Sequence, residues 1–239
     1  MIRPHCLCPE GRSFGHLFLV GYRCTGKTSV GRRLAKRLRS PFVDGDAQVI
    51  ESAGMGISDI VSIEGWESFR RRERRAMKDI CRSRDKVVAT GGGAVLDPGT
   101  RRDMQRSGIV VWLTASVATI AARMANDPLS EGQRPALSRK PRTDEIAGTL
   151  TARVPFYAQT AHIRIVTDNR DFAGICDDIM VRLSSMVAKM TLCDTLHRCR
   201  SDRHHRSQPP VLFRHRKHLC ARQKITAGKV AFTAAIPPV

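Results

Sequence analysis

Residues 21–28 read GYRCTGKT and come directly after the apolar run HLFLV at residues 16–20. They match the pattern G-x-x-x-x-G-K-[ST] of a phosphate-binding loop, in which backbone N–H groups surround the phosphates and the lysine neutralises them. An ordinary glycine turn before a helix is the alternative, but the strand pattern before it and the amphipathic pattern after it favour the phosphate loop. We therefore expect a purine nucleoside triphosphate with Mg²⁺ as the ligand, and the threonine hydroxyl as a ligand of the metal. The predicted ATP-binding residues of the loop are Gly21, Cys24, Thr25, Gly26, Lys27, Thr28 and Ser29.

Cys24 lies inside this loop. The dipole of the following helix and the Lys27 ammonium can make such a thiol reactive. The simpler interpretation is a small residue whose backbone binds the phosphates.

The pattern around the loop predicts an α/β protein. Short apolar runs alternate with amphipathic helical stretches, as in βαβ units with a parallel sheet. Five strands flanked by helices form a doubly wound sheet, whose ligands bind beyond the carboxyl ends of the strands. The predicted strands are residues 16–20, 41–43, 86–90, 109–113 and 163–167, and helices are predicted to begin near residues 27, 46, 65, 100, 116 and 143.

Two acidic residues, Asp44 and Asp46, follow the second predicted strand. One can hold Mg²⁺ through water, while the other can face an acceptor hydroxyl as a base. The alternative is a helix N-cap, a position at which aspartate is favoured. An N-cap accounts for one of the two carboxylates more easily than for both.

A charged helix and a run of glycines follow. Arg70 and Glu73 are i,i+3 neighbours, which is typical of a weak surface ion pair but also of a guanidinium oriented for a carboxylate ligand. Gly91, Gly92 and Gly93 come directly after the third predicted strand, where bare backbone lets a ligand approach closely.

A polar segment containing proline extends over about residues 123–139. A loop of this kind after a helix is either a passive surface connection or a lid that closes over a ligand.

Taken in order, GYRCTGKTSVGRRLA, FVDGD, FRRRE, VVATGGGAV, QRPAL and RVPFY resemble the shikimate kinases of the phosphate-loop kinase superfamily. The likeness covers about residues 15–183. It implies a P-loop kinase fold with a mobile lid, and transfer of the γ-phosphoryl group of ATP to the 3-hydroxyl of shikimate. That reaction belongs to the pathway to chorismate and the aromatic amino acids.

The resemblance also implies site residues. Asp46 would bind the shikimate hydroxyls and act as the base, and Asp44 would lie near Mg²⁺. The further residues that it implies are Arg70 and Arg153 for the substrate carboxylate, Gly91, Gly92 and Gly93 for the same pocket, Lys27 and the lid residue Arg134 for the transferred phosphoryl group, and Arg123 and Arg170 for the nucleotide. Gly65-Trp66 departs from the Gly-Glu that the family usually shows.

The charge of the chain is uneven. The 239 residues have a net charge of +19, and residues 186–239 contribute 11 basic and two acidic residues, or +9, with five of the eight histidines. This composition predicts a disordered tail beyond a kinase-like domain at residues 15–185, and an amino-terminal extension at residues 1–14. The tail is either dispensable, a nucleic-acid-binding arm or, less in keeping with its Cys and His spacing, a zinc site. A kinase-like core with a nucleic-acid-binding tail in a regulatory role is thus the alternative function.

Other sequence features bear on location. The eight cysteines show no repeated spacing, no secretory signal is recognisable, and no uninterrupted apolar run approaches 18 residues. We expect a cytoplasmic monomer whose partners are shikimate and ATP, without a membrane and with nucleic acid only through the tail.

Overall fold

The computed structural model describes residues 15–127 and 142–201. Its centre is a five-stranded sheet in the order β2-β3-β1-β4-β5, with every neighbouring pair parallel. The strands are β1 (His16–Val20), β2 (Phe42–Asp44), β3 (Val87–Ala89), β4 (Gly108–Thr114) and β5 (Ile163–Val166). The predicted five-stranded parallel sheet is confirmed, and each strand lies within two residues of its predicted bounds.

Helices connect the strands. They are α1 (Lys27–Leu38), α2 (Gly45–Ala53), α3 (Ile57–Cys81), α4 (Pro98–Ser107), α5 (Val117–Ala125), α6 (Arg142–Thr160) and α7 (Phe172–Ser201), with a 3₁₀ turn at Ala94–Leu96. None of the helices in the described ranges is long and apolar enough to cross a bilayer.

Alternate side chains of the central strand enter two cores. Leu17 and Leu19 pack with residues of α1 and α7 on one face of the sheet. Phe18 and Val20 pack with residues of α3, α4 and α6 on the other face. Because both faces are covered, the strand is continuously apolar from Leu17 to Val20 rather than alternating.

The third helix begins earlier than predicted. It starts at Ile57 and is interrupted at Gly65, whose φ of 82° and ψ of 168° are not helical. A glycine adopts this conformation without the strain that a side chain would add. The prediction of a helix beginning near residue 65 was therefore correct only for the second half of α3.

The last helix was not predicted, and it extends beyond the boundary predicted at residue 185 to Ser201. The physical reason is that no glycine or proline interrupts the chain between Gly174 and Pro209. The amino-terminal extension at residues 1–14 and the tail from residue 202 lie outside the described residues.

The predicted lid is only partly described. Its first residues, from Arg123 to Ala125, belong to the last turn of α5, since Ala-Arg-Met-Ala is a strongly helix-forming sequence. Residues 128–141, including Arg134, lie outside the described residues.

Candidate active site

One cleft lies at the carboxyl edge of the sheet. Because all five strands are parallel, the segments that follow β1, β2 and β3 meet there. The cleft has a volume of about 690 Å³. It is lined by the predicted site residues Cys24, Gly26, Lys27, Thr28, Ser29, Asp44, Asp46, Arg70, Gly91, Gly92, Gly93 and Arg153.

The phosphate loop joins β1 to α1 at one end of the cleft. Gly26, the residue before α1, has a φ of 93°, and Cys24 also has a positive φ of 59°. Lys27 Nζ donates to the carbonyl oxygens of Gly21 at 2.9 Å and Tyr22 at 2.7 Å. The first turn of α1 contains no acidic residue. The amino terminus of this helix and the lysine thus present positive charge that suits an anion.

Two residues of the loop face inward instead. Thr25 is buried, and its hydroxyl donates to the carbonyl of Tyr22 at 2.8 Å. The Gly21 carbonyl oxygen accepts the hydrogen bond from Lys27 Nζ. Both shape the loop and do not line the cleft.

Asp44 connects the loop to the next strand. One of its carboxylate oxygens accepts from the Thr28 hydroxyl at 2.9 Å, and the other accepts from the Asp46 backbone N–H at 3.1 Å. The N-cap interpretation therefore describes Asp44, while Asp46, in the first turn of α2, lines the cleft. Two oxygen-bearing side chains, those of Thr28 and Asp44, meet beside the phosphate loop.

Arg70 and Glu73 form an ion pair within the cleft rather than on the surface. The Arg70 Nη1 to Glu73 Oε2 distance is 2.6 Å, and the glutamate side chain is only 8% exposed. Burial raises the pKa of Glu73, and the neighbouring Arg70 guanidinium opposes this shift. The Asp46 carboxylate raises it further. Glu73 was not among the predicted site residues. Its i,i+3 spacing from Arg70 was the sequence signal that could have placed it beside this arginine in the site.

Two of the three glycines, Gly91 and Gly93, are approached closely by charged side chains of the cleft. A Cβ at Gly91 would overlap with the Glu73 carboxylate and lie 2.7 Å from Asp46 Oδ1. A Cβ at Gly93 would overlap with the Arg70 guanidinium. These positions therefore require glycine for the side chains of the cleft to keep their places.

Gly92 accepts two hydrogen bonds from α6. Arg153 Nη1 donates to its carbonyl oxygen at 3.1 Å, and the Tyr157 hydroxyl donates to the same oxygen at 2.5 Å. Tyr157 is fully buried, and burial raises its pKa to about 12, so it remains a donor. This tyrosine was not predicted, although its i,i+4 spacing from Arg153 places both on one helix face.

The two arginines predicted on the nucleotide side, Arg123 and Arg170, lie in different places. Arg123 lines the cleft and donates to the carbonyl oxygens of Cys24 at 3.3 Å and Thr167 at 2.7 Å. Arg170 pairs with Asp178 at 3.0 Å and is not among the residues lining the cleft.

The sequence profile of the family described as Shikimate kinase matches residues 23–184, well over half of the chain. The Shikimate kinase of Syntrophus aciditrophicus (strain SB) is 43% identical over 178 residues, which are 71% of this chain and 91% of that protein. The chain belongs to the shikimate kinase family.

Solved structures agree with this assignment. A shikimate kinase from Acinetobacter baumannii in complex with shikimate is 30% identical, with a TM-score of 0.63 over 77% of this chain and 96% of that one. Shikimate kinase from Bacteroides thetaiotaomicron is 29% identical, with a TM-score of 0.63 over 72% and 98% of the two chains. The P-loop kinase fold is thus shared with this family.

The shikimate kinase match ends at residue 184, next to the boundary predicted at 185. The matches give no support to the alternative function with a nucleic-acid-binding tail.

The metal sites suggested by the sequence have different outcomes. Within the described part of the chain, no group of three or more His, Cys, Asp or Glu side chains is arranged so that it could hold a metal ion. The oxygen pair of Thr28 and Asp44 fits Mg²⁺, which is commonly held by one or two protein oxygens together with phosphates and water. The side chains of the suggested zinc site in the tail lie outside those described.

Proposed function

We propose that this chain transfers the γ-phosphoryl group of ATP to the 3-hydroxyl of shikimate, giving shikimate 3-phosphate and ADP, in the pathway to the aromatic amino acids. The observation that carries this proposal is a single cleft with two differently equipped ends. The phosphate loop supplies Lys27 and the amino terminus of α1 at one end. Arg70 and Arg153, beside the Asp46 carboxylate, suit an anionic acceptor with hydroxyl groups at the other.

The arginines are proposed to bind the carboxylate of shikimate. A guanidinium can bind a carboxylate through two parallel hydrogen bonds, which a lysine cannot. Glu73 holds Arg70 from one side, and the Gly92 carbonyl accepts from Arg153. Both arginines are therefore oriented before the substrate arrives, and this lowers the entropy lost on binding.

Asp46 is proposed as the base. Its carboxylate lies beside Gly91, at the end of the cleft that also holds Arg70. It would accept the proton of the 3-hydroxyl as the hydroxyl oxygen forms its bond to the γ-phosphorus. The bond from that phosphorus to the oxygen bridging the β-phosphate breaks, and ADP leaves with this electron pair.

The phosphate loop is proposed to stabilise the charge that moves in this step. Lys27 and the backbone N–H groups at the start of α1 bind the phosphates, and the side chains of Thr28 and Asp44 hold Mg²⁺. The metal supplies positive charge to the β- and γ-phosphates when it is bound. From the family resemblance, Arg134 adds charge from the lid, and Arg123 and Arg170 contribute on the nucleotide side. All these groups come from one chain, so a monomer is sufficient.

The test is ADP release by the full chain with shikimate, compared with gluconate and other hydroxy acids. We expect saturable turnover with shikimate and at most slow turnover with the acyclic acids. Lys27→Ala serves as the control for contaminating kinases, since it should abolish the signal. A folded preparation without shikimate-dependent ADP release would contradict the proposal.

A further inference from the structure

Arg101, near the start of α4, contacts the segment that follows the three glycines, and the mechanism above does not use it. Its Nη1 donates to the carbonyl oxygens of Val95 at 2.7 Å and Leu96 at 3.2 Å. These are the last two residues of the 3₁₀ turn. Hydrogen bonds from a charged donor are stronger than those from a neutral one. The guanidinium therefore holds the end of this turn in place.

Backbone hydrogen bonds connect the same turn to the glycines. The Ala94 N–H donates to the Gly91 carbonyl at 3.2 Å, and the Leu96 N–H donates to the Gly93 carbonyl at 2.9 Å. Each of these hydrogen bonds spans only three residues, so the turn and the glycines form one connected segment. A displacement of the turn would therefore displace the glycines as well.

Arg101 also contacts α6. Its guanidinium carbon lies 4.9 Å from the centre of the Phe156 ring, within the range of a cation–π interaction. Phe156 is half-buried and directly precedes Tyr157, whose hydroxyl donates to the Gly92 carbonyl. Arg153, which donates to the same carbonyl, lies almost one helical turn earlier. Arg101 thus contacts both the glycine segment and the helix that binds it.

We propose that Arg101 is a positioning residue for the acceptor end of the cleft. It holds residues 91–93 and α6 in the relative placement that shikimate binding requires, and this inference rests on the proposed function. A carbonyl of the glycine segment accepts from Arg153, and the last glycine lies against the Arg70 guanidinium. A shift of the segment would therefore move the two arginines proposed for the carboxylate. Arg101 itself is not among the residues lining the cleft, so it acts through these groups.

The kinetics of Arg101→Met test this role. Methionine keeps an apolar chain beside the Phe156 ring but removes the charge and both hydrogen bonds. The KM for shikimate should rise about fivefold, because displaced guanidinium groups bind a carboxylate less well, while kcat and the KM for ATP stay within about twofold. Arg101→Lys should recover most of this loss, since an ammonium group can donate to both carbonyls and lie on the ring.

Arg102→Met is the matched control. Arg102 is the next residue of α4 and is exposed. This substitution removes the same charge from the same helix, so its KM for shikimate should equal that of the unaltered protein. A general effect of net charge on the binding of an anionic substrate would instead appear in both variants.

Phe156→Leu gives a second test from the side of α6, and it decides the matter if Arg101→Met does not fold. It removes the ring beside the guanidinium, so the KM for shikimate should rise about threefold. Added to Arg101→Met, it should raise the KM by less than it does alone, because both substitutions break the same contact.

The outcomes distinguish the two proposals. An unaltered protein without shikimate-dependent turnover would contradict the proposed function. Normal turnover with an unchanged KM for shikimate in Arg101→Met and in Phe156→Leu would overturn the role of Arg101 alone, even if both variants melt at a lower temperature. An equal rise of this KM in Arg102→Met would overturn it too.

Discussion

Buried polar groups have different roles at the two ends of the parallel strands. The amino edge is the side of the sheet at which the strands begin, and the carboxyl edge is the side at which they end. At the amino edge, His16 is the first residue of β1, and both of its ring nitrogens bind backbone groups. Its Nδ1 accepts from the Lys86 N–H at 3.3 Å, and its Nε2 donates to the Ser83 carbonyl at 2.9 Å. His162, just before β5, accepts from the Val110 N–H at 2.9 Å. Burial lowers the pKa of both histidines, so the neutral ring is favoured.

At the carboxyl edge, charged groups of both signs surround an open cleft. They include Arg70, Glu73, Arg153 and Asp46. Burial raises the pKa of Glu73 and so disfavours its charged form. A buried polar side chain alone therefore does not indicate function. It does so where it is charged and its neighbours border a cleft, and the histidines of the amino edge serve the fold instead.

The largest expected effect is at the carboxyl edge. Asp46→Asn should lower turnover by at least about 100-fold, because the amide cannot accept the proton, while ATP binding stays within about twofold. Stopped-flow or coupled measurement of ADP release, with nucleotide binding by calorimetry, checks both. Asp79→Asn is the control, since Asp79 forms an exposed ion pair with Arg82 and should keep normal turnover. A near-normal rate in Asp46→Asn would remove this residue from the role of base.

Gly93→Ala should raise the KM for shikimate about tenfold or more. The added methyl group would occupy the place of the Arg70 guanidinium, a flexible group that can move away, so the melting temperature should change little. Gly148→Ala is matched to it: a Cβ at this exposed position of α6 meets no atom within 4 Å, so this substitution should keep the KM and stabilise the helix by about 0.5–1 kcal/mol. An equal KM for shikimate in the two variants would show that shikimate binding does not depend on the position of the Arg70 guanidinium.

Tyr157→Phe should have a smaller effect. It removes one of the two donors to the Gly92 carbonyl and keeps the ring that stacks on Trp112 with 5.6 Å between centroids. We expect the KM for shikimate to rise about threefold, and the free energy of unfolding to fall by about 1 kcal/mol, as for one buried hydrogen bond. Steady-state kinetics and urea unfolding measure these. A loss of stability with no change in KM would place Tyr157 with the structural groups of the amino edge.

The smallest effect is expected at the amino edge and concerns pH. A histidine whose pKa is lowered by folding stabilises the protein above its unfolded pKa of about 6.5, and this contribution is lost as the pH falls through that value. His162→Asn keeps an acceptor but cannot titrate. Between about pH 8 and pH 5.5, the melting temperature should therefore fall less steeply in this variant, with kcat and KM at pH 8 unchanged. A change in KM would contradict the division between the edges.

Much of the fold follows from local sequence. The strands could be predicted because runs such as residues 17–20 and 109–113 are continuously apolar, as required for a sheet covered on both faces. The first half of α3 was not predicted, and Gly56 and Gly65, which lie at its two ends, are poor helix formers. Asp171 directly precedes the start of α7 at Phe172, and its carboxylate accepts from the Gly174 backbone N–H at 3.1 Å. A capping signal for this unpredicted helix is therefore present in the sequence.

The candidate site was predictable where one motif holds several groups. Lys27 and Thr28 lie in one loop, and Asp44 and Asp46 follow one strand, so local spacing places them. The partnership of Tyr157 with Gly92 joins residues 65 positions apart. It depends on how α6 lies against the segment after β3, and no local pattern contains that information.

The most direct test of this account is the identity and amount of the product formed by the full chain. Phosphorus NMR of a reaction with ATP, Mg²⁺ and shikimate should show one phosphate ester on the 3-hydroxyl for each ADP released. The same reaction with Asp46→Asn should show neither product above a trace. ADP formed without a shikimate phosphate ester, or formed equally well by Asp46→Asn, would contradict the claim that the carboxyl edge of the sheet is a shikimate kinase site.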